Sequence, residues 1–581
     1  MIKMFIGWSK WLVVVLLTGL APAAPPGVQI AGDGKPLAVI VLPKDPPLEI
    51  RHAAEELKSY VKRMSGAELS VGDRAAAEAE IRLEVDPSLN RPPQDRRDWP
   101  GARGYRLRAE GQSMRIIGGD RLGVLQGVYG LLERHLGVRW LWPGELGEVV
   151  PRRKTIVVGP LEETSRPDFA VRWVGGGDWA LRHGSNAMVQ IGRLAVGVKW
   201  RWHFHTFNEL IPAEKYYEKH PEWWPLVGGK RQRPTQPDSH STQLCTSNAE
   251  LVAQLTRNLL AVLDREPDIE IIALSPNDGG GFCECENCRA LDEPDRGWFA
   301  RYSKRLAVLN NQVAGEVAKR HARVLVKVGA YAMYLRRPLD ESLAPTKNLL
   351  VQICHIYCCH NHPIEGAGCL EGKTFFAKKE FIPNQEFRRI LLDWKRVTDH
   401  LFVYEYYTLA GPSRLDLPWP MVHALRQDMP FYKRAGAEGF YTQLTETLFH
   451  RHGLNYYLAA KLAWDTGLDV DGVSDDYCRS AFGPAAGAMS GYFRRLEQAM
   501  VEADLCLSYG QESPQRWAPR VFSETVMRQA QGCLLRAAEL APGGPERQRV
   551  AFFRRGFDEA AASLLKIRAK PASLGGPKKG K

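Results

Sequence analysis

Residues 271–288 read IIALSPNDGGGFCECENC, and the organisation of the whole chain can be worked out from them. The apolar run 271–274 has the length of a buried strand, and it ends in a loop that contains Asn277, Asp278 and three glycines. This order predicts a carboxylate at the tip of a strand. In a barrel of parallel strands, active sites are built at that end of the strands. The alternative is a glycine-rich turn in which Asp278 only starts the next element.

Further apolar segments predict the other strands of such a barrel, and helical segments at 298–321, 384–400 and 421–435 separate the later ones. Eight strands alternating with helices predict a (β/α)8 TIM-type barrel over residues 166–465. Residues 201–245 form a long segment rich in Trp and His, and loops of that length are usually functional. The other seven predicted strands are 170–174, 187–191, a region near 200–205, 324–328, 349–353, 401–404 and 439–442.

Two further domains are expected beside the barrel. Residues 25–165 predict a small α/β domain, because strand patterns at 37–42 and 105–117 flank a helical pattern at 48–64. Residues 466–581 carry the three-four spacing of helices and end in a solvated tail. The predicted fold class is therefore α/β, with a small α/β domain, a TIM-type barrel and a helical C-terminal domain.

The first 24 residues differ from the rest of the chain. Lys3 and Lys10 precede a short apolar run, and small residues follow it, so residues 1–24 predict a secretory signal peptide and export to the periplasm or beyond. The apolar run is too short to span a bilayer comfortably, and an uncleaved anchor is the alternative. No later segment of the sequence resembles a membrane span.

The composition is that of a globular protein, with 44% hydrophobic and 25% charged residues among 581. The formal net charge is +12, but Lys and Arg are scattered and no nucleic-acid motif accompanies them. We therefore expect no nucleic-acid partner.

All 11 cysteines follow residue 240. In an oxidising compartment disulfides are the default, so most of the cysteines from 245 to 369 are predicted to pair and to hold the loops around the site. Zinc is the alternative, because several thiols are two or three residues apart and histidines are interleaved with the second group. No other cofactor is expected. The cysteines in this region are Cys245, Cys283, Cys285, Cys288, Cys354, Cys358, Cys359 and Cys369.

Several motifs resemble known families. Residues 123–151, GVLQGVYGLLERHLGVRWLWPGELGEVVP, resemble the small domain that precedes the barrel in glycoside hydrolases of family 20 (hexosaminidases) and family 67 (α-glucuronidases). The segments LSPNDGGGFCECENC, QLCTSN, LFVYEYY and GAEGFYTQLTE resemble the family called domain of unknown function 4838, which includes glycoside hydrolase family 163. This resemblance covers nearly all of the mature chain. It implies β-N-acetylglucosaminidase activity on N-glycans.

Glycosidic bond cleavage normally uses two carboxylates, one as acid and one as nucleophile or base. Asp278 is the first candidate, as acid/base or as the group that orients a substrate acetamido oxygen. Glu405 follows the predicted seventh strand and is the second, with a structural salt bridge as its alternative. Glu446 follows the eighth strand and is the third, or it only starts a helix.

Sugar binding calls for aromatic surfaces and polar groups that fix orientation. The expected function is a secreted glycoside hydrolase that cleaves β-linked N-acetylhexosamine bonds in oligosaccharides or glycoprotein glycans. It is expected to retain configuration, in one version with the substrate acetamido group as nucleophile. The alternatives are an α-glucuronidase-like hydrolase and a non-catalytic glycan-binding protein. The predicted substrate-binding residues are Arg172, His205, Asn277, Tyr331, Tyr406 and Trp419.

Overall fold

A computed structural model describes residues 27–72, 78–90, 103–234, 242–368, 381–407, 416–444, 446–508 and 514–569. The predicted signal peptide, Cys369 and the C-terminal tail lie outside these residues. Within the ranges given, no helix combines the length and the apolar character that crossing a membrane requires.

The described N-terminal part of the chain contains three sheets and two α-helices, and the smallest sheet is the antiparallel pair β8-β9. A six-stranded sheet has the order β11-β6-β7-β5-β3-β4, and a three-stranded sheet has the order β10-β1-β2. Helices α1 and α2 pack together and bury apolar side chains. The elements are β1 Val28–Gly32, β2 Lys35–Pro36, β3 Ala38–Val41, α1 Leu48–Ser65, β4 Ser70–Val71, β5 Ala79–Val85, β6 Tyr105–Glu110, β7 Ser113–Gly118, α2 Arg121–Gly130 with a π-helical turn Leu131–His135, β8 Arg139–Trp140, β9 Glu148–Val149, β10 Ile156–Val158 and β11 Leu161–Ser165.

Helix α2 lies close to the sheet because its sequence contains three glycines. A Cβ on Gly127 would come 3.2 Å from the Tyr105 side chain, and one on Gly130 would overlap the Tyr105 hydroxyl. The helix begins at Asp120, whose carboxylate accepts a hydrogen bond from the Gly123 amide at 2.8 Å. These contacts pack the helix against the sheet, and the buried residues of this part belong to a core that continues into the rest of the described chain.

The central part is a curled sheet of seven parallel strands in the order β12-β22-β21-β20-β19-β18-β15. The longer strands are almost wholly apolar, as expected for a parallel sheet covered on both faces. The elements are β12 Val171–Val174, α3 Gly177–Arg182, β13 Val189–Ile191, β14 Leu194–Val196, β15 Trp200–Arg201, α4 Phe207–Leu210, α5 Ala213–Tyr216, β16 Leu226–Val227, β17 Lys230–Arg231, α6 Ala249–Arg265, β18 Ile271–Ala273, α7 Glu286–Arg289, α8 Ser303–Arg320, β19 Leu325–Ala330, β20 Leu349–Cys354, α9 Asn384–Lys395, β21 His400–Glu405, α10 Val422–Arg434, β22 Gly439–Thr442 and α11 Phe449–Trp464.

The predicted second barrel strand, 187–191, is wrong. Val189–Ile191 forms an antiparallel hairpin with Leu194–Val196, and the chain turns between them at Gly192, whose φ is 61°. Only Ala187 takes the place of a strand, through a parallel bridge to Val198. The amides of residues 186 and 187 donate to the Arg172 carbonyl, so this short stretch joins the two edges of the sheet.

The C-terminal part is helical and packs on both other parts. Arg549 donates to the carbonyls of Leu146 and Glu148 at 2.8 and 2.9 Å, which ties the last helix to the N-terminal part. The predicted fold class is confirmed, whereas the predicted domain limits stay predictions. The helices are α12 Val470–Phe482, α13 Ala486–Ala503, α14 Pro514–Val521, α15 Glu524–Leu540 and α16 Gly544–Ala569.

Candidate active site

Three of the predicted site residues meet at the carboxyl ends of neighbouring strands. His205 follows β15, Asp278 follows β18 and Tyr331 directly follows β19. The Tyr331 hydroxyl donates to Asp278 Oδ1 at 3.3 Å, and Nε2 of His205 lies 3.9 Å from the same oxygen. The Asp278 side chain is 39% exposed, so a ligand can reach it. We call this end of the sheet the mouth.

Local backbone geometry sets the position of His205. Its φ is 56°, and that of Trp202 is 54°, so two non-glycine residues adopt the left-handed conformation within four positions. Such residues cost on the order of 1–3 kcal/mol each and cluster at functional sites. The His205 ring is fixed by a 2.8 Å hydrogen bond from Nδ1 to the Pro276 carbonyl. The loop that follows β15 and the loop that carries Asp278 therefore hold each other in place.

Aromatic rings surround the mouth. Tyr404 and Tyr406 stack with centroids 4.5 Å apart and planes 6° apart, and Phe204 lies 5.8 Å from Tyr331 and 6.1 Å from Tyr404. Phe204, His205, Tyr331 and Tyr441 are partly exposed. Burial, followed by the charge of Asp278, raises the pKa of Tyr331, so its hydroxyl stays protonated and can donate at neutral pH.

Polar groups inside the barrel below the mouth were missed from the sequence. Lys327 on β19 is fully buried, its amine donates to the His203 carbonyl, and burial holds its pKa well below the usual value. Gln352 on β20 is fully buried too, and within the described part of the chain neither of its amide atoms has a hydrogen-bond partner. The available signal in the sequence was a single polar residue in the middle of an otherwise apolar strand, Lys327 in β19 and Gln352 in β20.

Glu405 lies on the other face of its strand. Phe402 packs inside the ring of strands, in a cluster with apolar residues of the other strands. Because side chains alternate along a strand, Tyr404 and Tyr406 also face the inside, and Glu405 faces the outside. The Glu405 side chain is fully buried and accepts hydrogen bonds from the Tyr432 hydroxyl of α10 and, at 3.2 Å, from the Tyr406 amide. The placement suits a group that organises the site rather than one that contacts a sugar.

The main ionic partner of Glu405 is His355. Its Nδ1 lies 3.1 Å from Glu405 Oε1, and its Nε2 lies 3.3 Å from the Asn384 side chain. Burial opposes both charges, but each charge favours the other, so the pKa of Glu405 is lowered and that of His355 is raised well above its usual value. Asn384 also donates to the carbonyls of Cys359 and His362. The pair therefore anchors the loop after β20.

Tyr406 lies among the rings of the mouth, whereas the structure places Arg172 and Trp419 elsewhere. Arg172 is buried under the Trp464 ring and donates to the carbonyls of Gly184 and Phe169. Trp419 is buried against the C-terminal helices beside Trp517.

Asn277 is next to Asp278 but turns into the protein. Its amide nitrogen donates to the Asn208 side chain at 2.8 Å and to the Thr242 carbonyl at 2.7 Å, so it holds neighbouring loops in place. Glu446 begins a short 3₁₀ turn four residues after β22 ends, and its side chain lies outside the described part of the structure.

The predicted disulfides are not supported. In the described part of the chain, Cys245, Cys283, Cys285, Cys288, Cys354 and Cys358 form no disulfide with one another. Four of them, Cys245, Cys283, Cys285 and Cys288, instead direct their sulfurs toward one another. A second cluster contains Cys359, His362 and Cys506, with His362 Nδ1 3.3 Å from Cys359 and 3.8 Å from Cys506.

A cavity of about 370 Å³ lies away from the mouth, between the N-terminal part and helices α11 and α12. Four of its charged groups are paired with one another. Lys461 donates to Glu133, and Arg139 pairs with Asp476 at 2.7 Å. We read this cavity as part of the contact between the two parts of the chain.

The sequence profile of one protein family, described as "Domain of unknown function (DUF4838)", matches residues 142–495. The chain belongs to this family. The match begins between β8 and β9 of the N-terminal part and spans every strand of the parallel sheet, so the mouth is built from DUF4838 sequence. Among curated proteins, none is significantly similar to the chain.

Solved structures resemble this DUF4838 protein only distantly. A GH138 enzyme described as targeting pectin rhamnogalacturonan II is 10% identical with a TM-score of 0.43, over 92% of this chain and 70% of that one. A β-N-acetylhexosaminidase from Bacteroides fragilis is 13% identical with a TM-score of 0.43, over 77% and 89%. A GH20 β-N-acetylhexosaminidase from Streptomyces coelicolor is 13% identical with a TM-score of 0.42, over 80% and 94%. Similarity at this level carries no argument about activity.

The chemistry available at the mouth follows from its geometry alone. Asp278 is an accessible carboxylate that can exchange a proton with a ligand, and the Tyr331 hydroxyl can donate to it when it is ionised. The partly exposed rings offer apolar faces against which a sugar ring can stack. The mouth is therefore suited to a ligand with hydroxyl or amide groups on an apolar ring.

Proposed function

We propose that this chain is an exported glycoside hydrolase that cleaves β-linked N-acetylhexosamine bonds in glycans. The observation that carries the proposal is the position of Asp278, an accessible carboxylate at the mouth with a tyrosine hydroxyl on Oδ1 and aromatic rings around it. Export rests on the basic and apolar pattern of residues 1–24. The substrate class rests on the family resemblance of the motifs.

In the proposed reaction Asp278 acts as the general acid. Its protonated form gives a proton to the glycosidic oxygen as the bond breaks, and its ionised form then takes a proton from the attacking water. The Tyr331 hydroxyl stabilises the ionised form between these steps. The bound sugar stacks on the exposed rings, which fix its orientation.

The nucleophile in this reaction is proposed to come from the substrate. Glu405 faces α10 and is saturated by His355, Tyr432 and the Tyr406 amide, so it is proposed as a positioning residue. Attack by the acetamido oxygen of the sugar replaces an enzyme nucleophile and retains configuration. Glu446 remains the candidate for a second carboxylate that orients the acetamido group.

The test is cleavage of a panel that contains N-glycans, aryl β-N-acetylglucosaminides and aryl glucuronides, by the wild type and by Asp278→Asn, Glu446→Gln and Glu405→Gln. We expect Asp278→Asn to lose activity by a factor of about 100–10,000, since general acid catalysis supplies that much. A thiazoline inhibitor should bind tightly, because it mimics the bicyclic intermediate. Full activity of Asp278→Asn contradicts the assignment of the acid.

A non-catalytic glycan-binding protein is the second candidate, and the outward orientation of Glu405 favours it. Binding of panel glycans by the wild type without any cleavage would establish that function. Cleavage of glucuronides alone would instead indicate an α-glucuronidase-like hydrolase.

A further inference from the structure

We propose that Cys245, Cys283, Cys285 and Cys288 form a structural zinc site beside the loop that carries Asp278. The four sulfurs lie within 4.8 Å of one another. Three of these cysteines are buried, and Cys285 is partly exposed. The proposal is independent of the enzymatic activity proposed above, because it concerns what holds this part of the fold together.

The distances between the sulfurs fit a shared tetrahedral ion. Cys245 Sγ lies 3.7 Å from Cys285 Sγ and 3.9 Å from Cys288 Sγ. Four thiolates at the usual zinc–sulfur distance of about 2.3 Å have sulfurs about 3.8 Å apart. Bonded disulfide sulfurs are about 2.05 Å apart. The cluster therefore has the spacing of a metal site.

Hydrogen-bond donors and a cation lie around the sulfurs of the cluster. The Leu226 amide donates to Cys283 Sγ at 3.3 Å, and the Arg231 guanidinium lies 3.9 Å from the same sulfur. The Ser247 hydroxyl lies 3.1 Å from Cys288 Sγ. Donors of this kind hold the ligands of structural metal sites in place and offset the excess negative charge.

A second cation, Arg305, binds the backbone of two of the cluster cysteines. Its guanidinium is buried, donates to the carbonyls of Cys283 and Cys288 at 3.1 and 3.0 Å, and pairs with Asp292 at 2.6 Å. When Zn²⁺ binds, each thiol loses its proton to solvent, and the resulting site carries a net charge of about −2. Arg231 lies close enough to Cys283 to offset part of that charge.

The ligand set indicates which metal is held. Four sulfurs and no oxygen ligand exclude Mg²⁺ and Ca²⁺, which bind through oxygen, and they favour zinc. All four tetrahedral positions are filled by protein, so no position is left for water or substrate. The site is therefore structural rather than catalytic.

The position of the cluster links it to the mouth. Cys283 follows Asp278 by five residues, whereas Cys245 lies just before α6 on another loop. One ion bound to all four thiolates would join these two loops and fix the far end of the segment that begins at Asp278. We infer that the metal fixes the direction of the Asp278 loop.

The test measures metal in full-length protein purified without a polyhistidine tag. Elemental analysis of the wild type, Cys285→Ser, Cys288→Ser and the control Cys533→Ser should show one zinc per chain fewer in the two cluster variants only. Any metal held by Cys359, His362 and Cys506 is common to all four proteins and cancels in this difference. Cobalt substitution of the wild type should give tetrahedral d–d absorption and sulfur-to-cobalt charge-transfer absorption.

Two measurements on the wild type keep the proposal open to refutation if the variants fail to fold. Native mass spectrometry should find the zinc-bound mass, and non-reducing peptide mapping should find the four cysteines unlinked. A disulfide between any two of them would overturn the proposal. Wild type without metal, or with iron in place of zinc, would overturn it as well.

Discussion

The hydroxyl of Tyr331 donates a hydrogen bond to Oδ1 of Asp278 at 3.3 Å, although 53 residues separate the two in sequence. They meet because β18 and β19 are parallel neighbours, so the residues that follow them share one edge of the sheet. Both residues were predicted for the site from the sequence. Their contact depends on strand order, which pairs the loops after the two strands.

Replacing Asp278 by Asn should remove activity and leave the fold intact. Asn has the same shape and its side-chain oxygen can still accept from Tyr331, but it cannot donate a catalytic proton. We expect kcat on the best substrate of the panel to fall by about 100- to 10,000-fold. The midpoint of thermal unfolding should change little, since the side chain is 39% exposed. The matched control is Asp295→Asn, an exposed aspartate in another loop, which should keep full activity.

Replacing Tyr331 by Phe removes only the hydroxyl that donates to Asp278. A hydrogen bond to a charged group contributes about 1.5–3 kcal/mol, so kcat/KM should fall about tenfold or more. Tyr216→Phe removes a hydroxyl that donates to Asn258 far from the mouth, and it should leave kcat/KM unchanged. Equal effects of the two substitutions would contradict a role of Tyr331 at the site.

Replacing Glu405 by Gln should destabilise the protein strongly. Breaking a buried ion pair costs about 3–5 kcal/mol, because the remaining charge of His355 stays buried without its partner. The control is Glu438→Gln, since Glu438 pairs with His400 at 2.9 Å while 43% exposed, and such pairs contribute about 0–1 kcal/mol. Urea unfolding followed by tryptophan fluorescence measures both. A similar midpoint for the two variants would show that the Glu405 pair adds little.

The stability that the Glu405–His355 pair provides should decrease at both low and high pH. The pKa of Glu405 is lowered in the folded state, so its contribution is present above the unfolded value of about 4.3 and is lost as the pH falls through the folded value. The pKa of His355 is raised, so its contribution is complete below about 6.5 and is lost as the pH rises through the folded value. The coupling free energy from Glu405→Gln, His355→Gln and the double variant should therefore be largest between about pH 4.3 and 6.5. A coupling that does not vary with pH would argue against an ionised pair.

Long apolar runs made most of the parallel sheet predictable. The strands β19 to β22 lie within one or two residues of the predicted segments, because each is a short apolar run bounded by turns or helices. The hairpin at 189–196 was missed because its apolar residues also fit a barrel strand. Gly192 was the available signal, since its positive φ allows the tight reversal.

The face on which Glu405 lies could not be read from its strand. In LFVYEYY both faces are apolar or aromatic, as is usual when helices and a barrel core cover the two sides of a parallel sheet. Alternation then gives no direction. The pairing with neighbouring strands shows which face is inside. Tyr404 is in register with Cys354 of β20 and with Tyr441 of β22, and these three side chains share the inner face of the sheet.

The cysteine cluster shows a similar limit. Spacing indicated that Cys283, Cys285 and Cys288 act together, but Cys245 lies 38 residues before Cys283 and joins them only through the fold. Spacing is compatible with both disulfides and a metal. The separations of the sulfurs, 3.7 and 3.9 Å from Cys245 to Cys285 and Cys288, are those of atoms that are not bonded to each other.

The short closure at Ala187 and Val198 makes one side of the ring weaker than the rest. A single bridge joins them, and β15 pairs with β18 over only two residues, whereas β19 and β20 pair over five. We expect the ring to open sideways at this seam at a low free-energy cost, with fast amide hydrogen exchange at residues 186 and 198. Because His205 follows β15, such opening widens the entrance beside Asp278. A branched glycan could then enter the mouth between Ala187 and Val198 while the other strands stay paired.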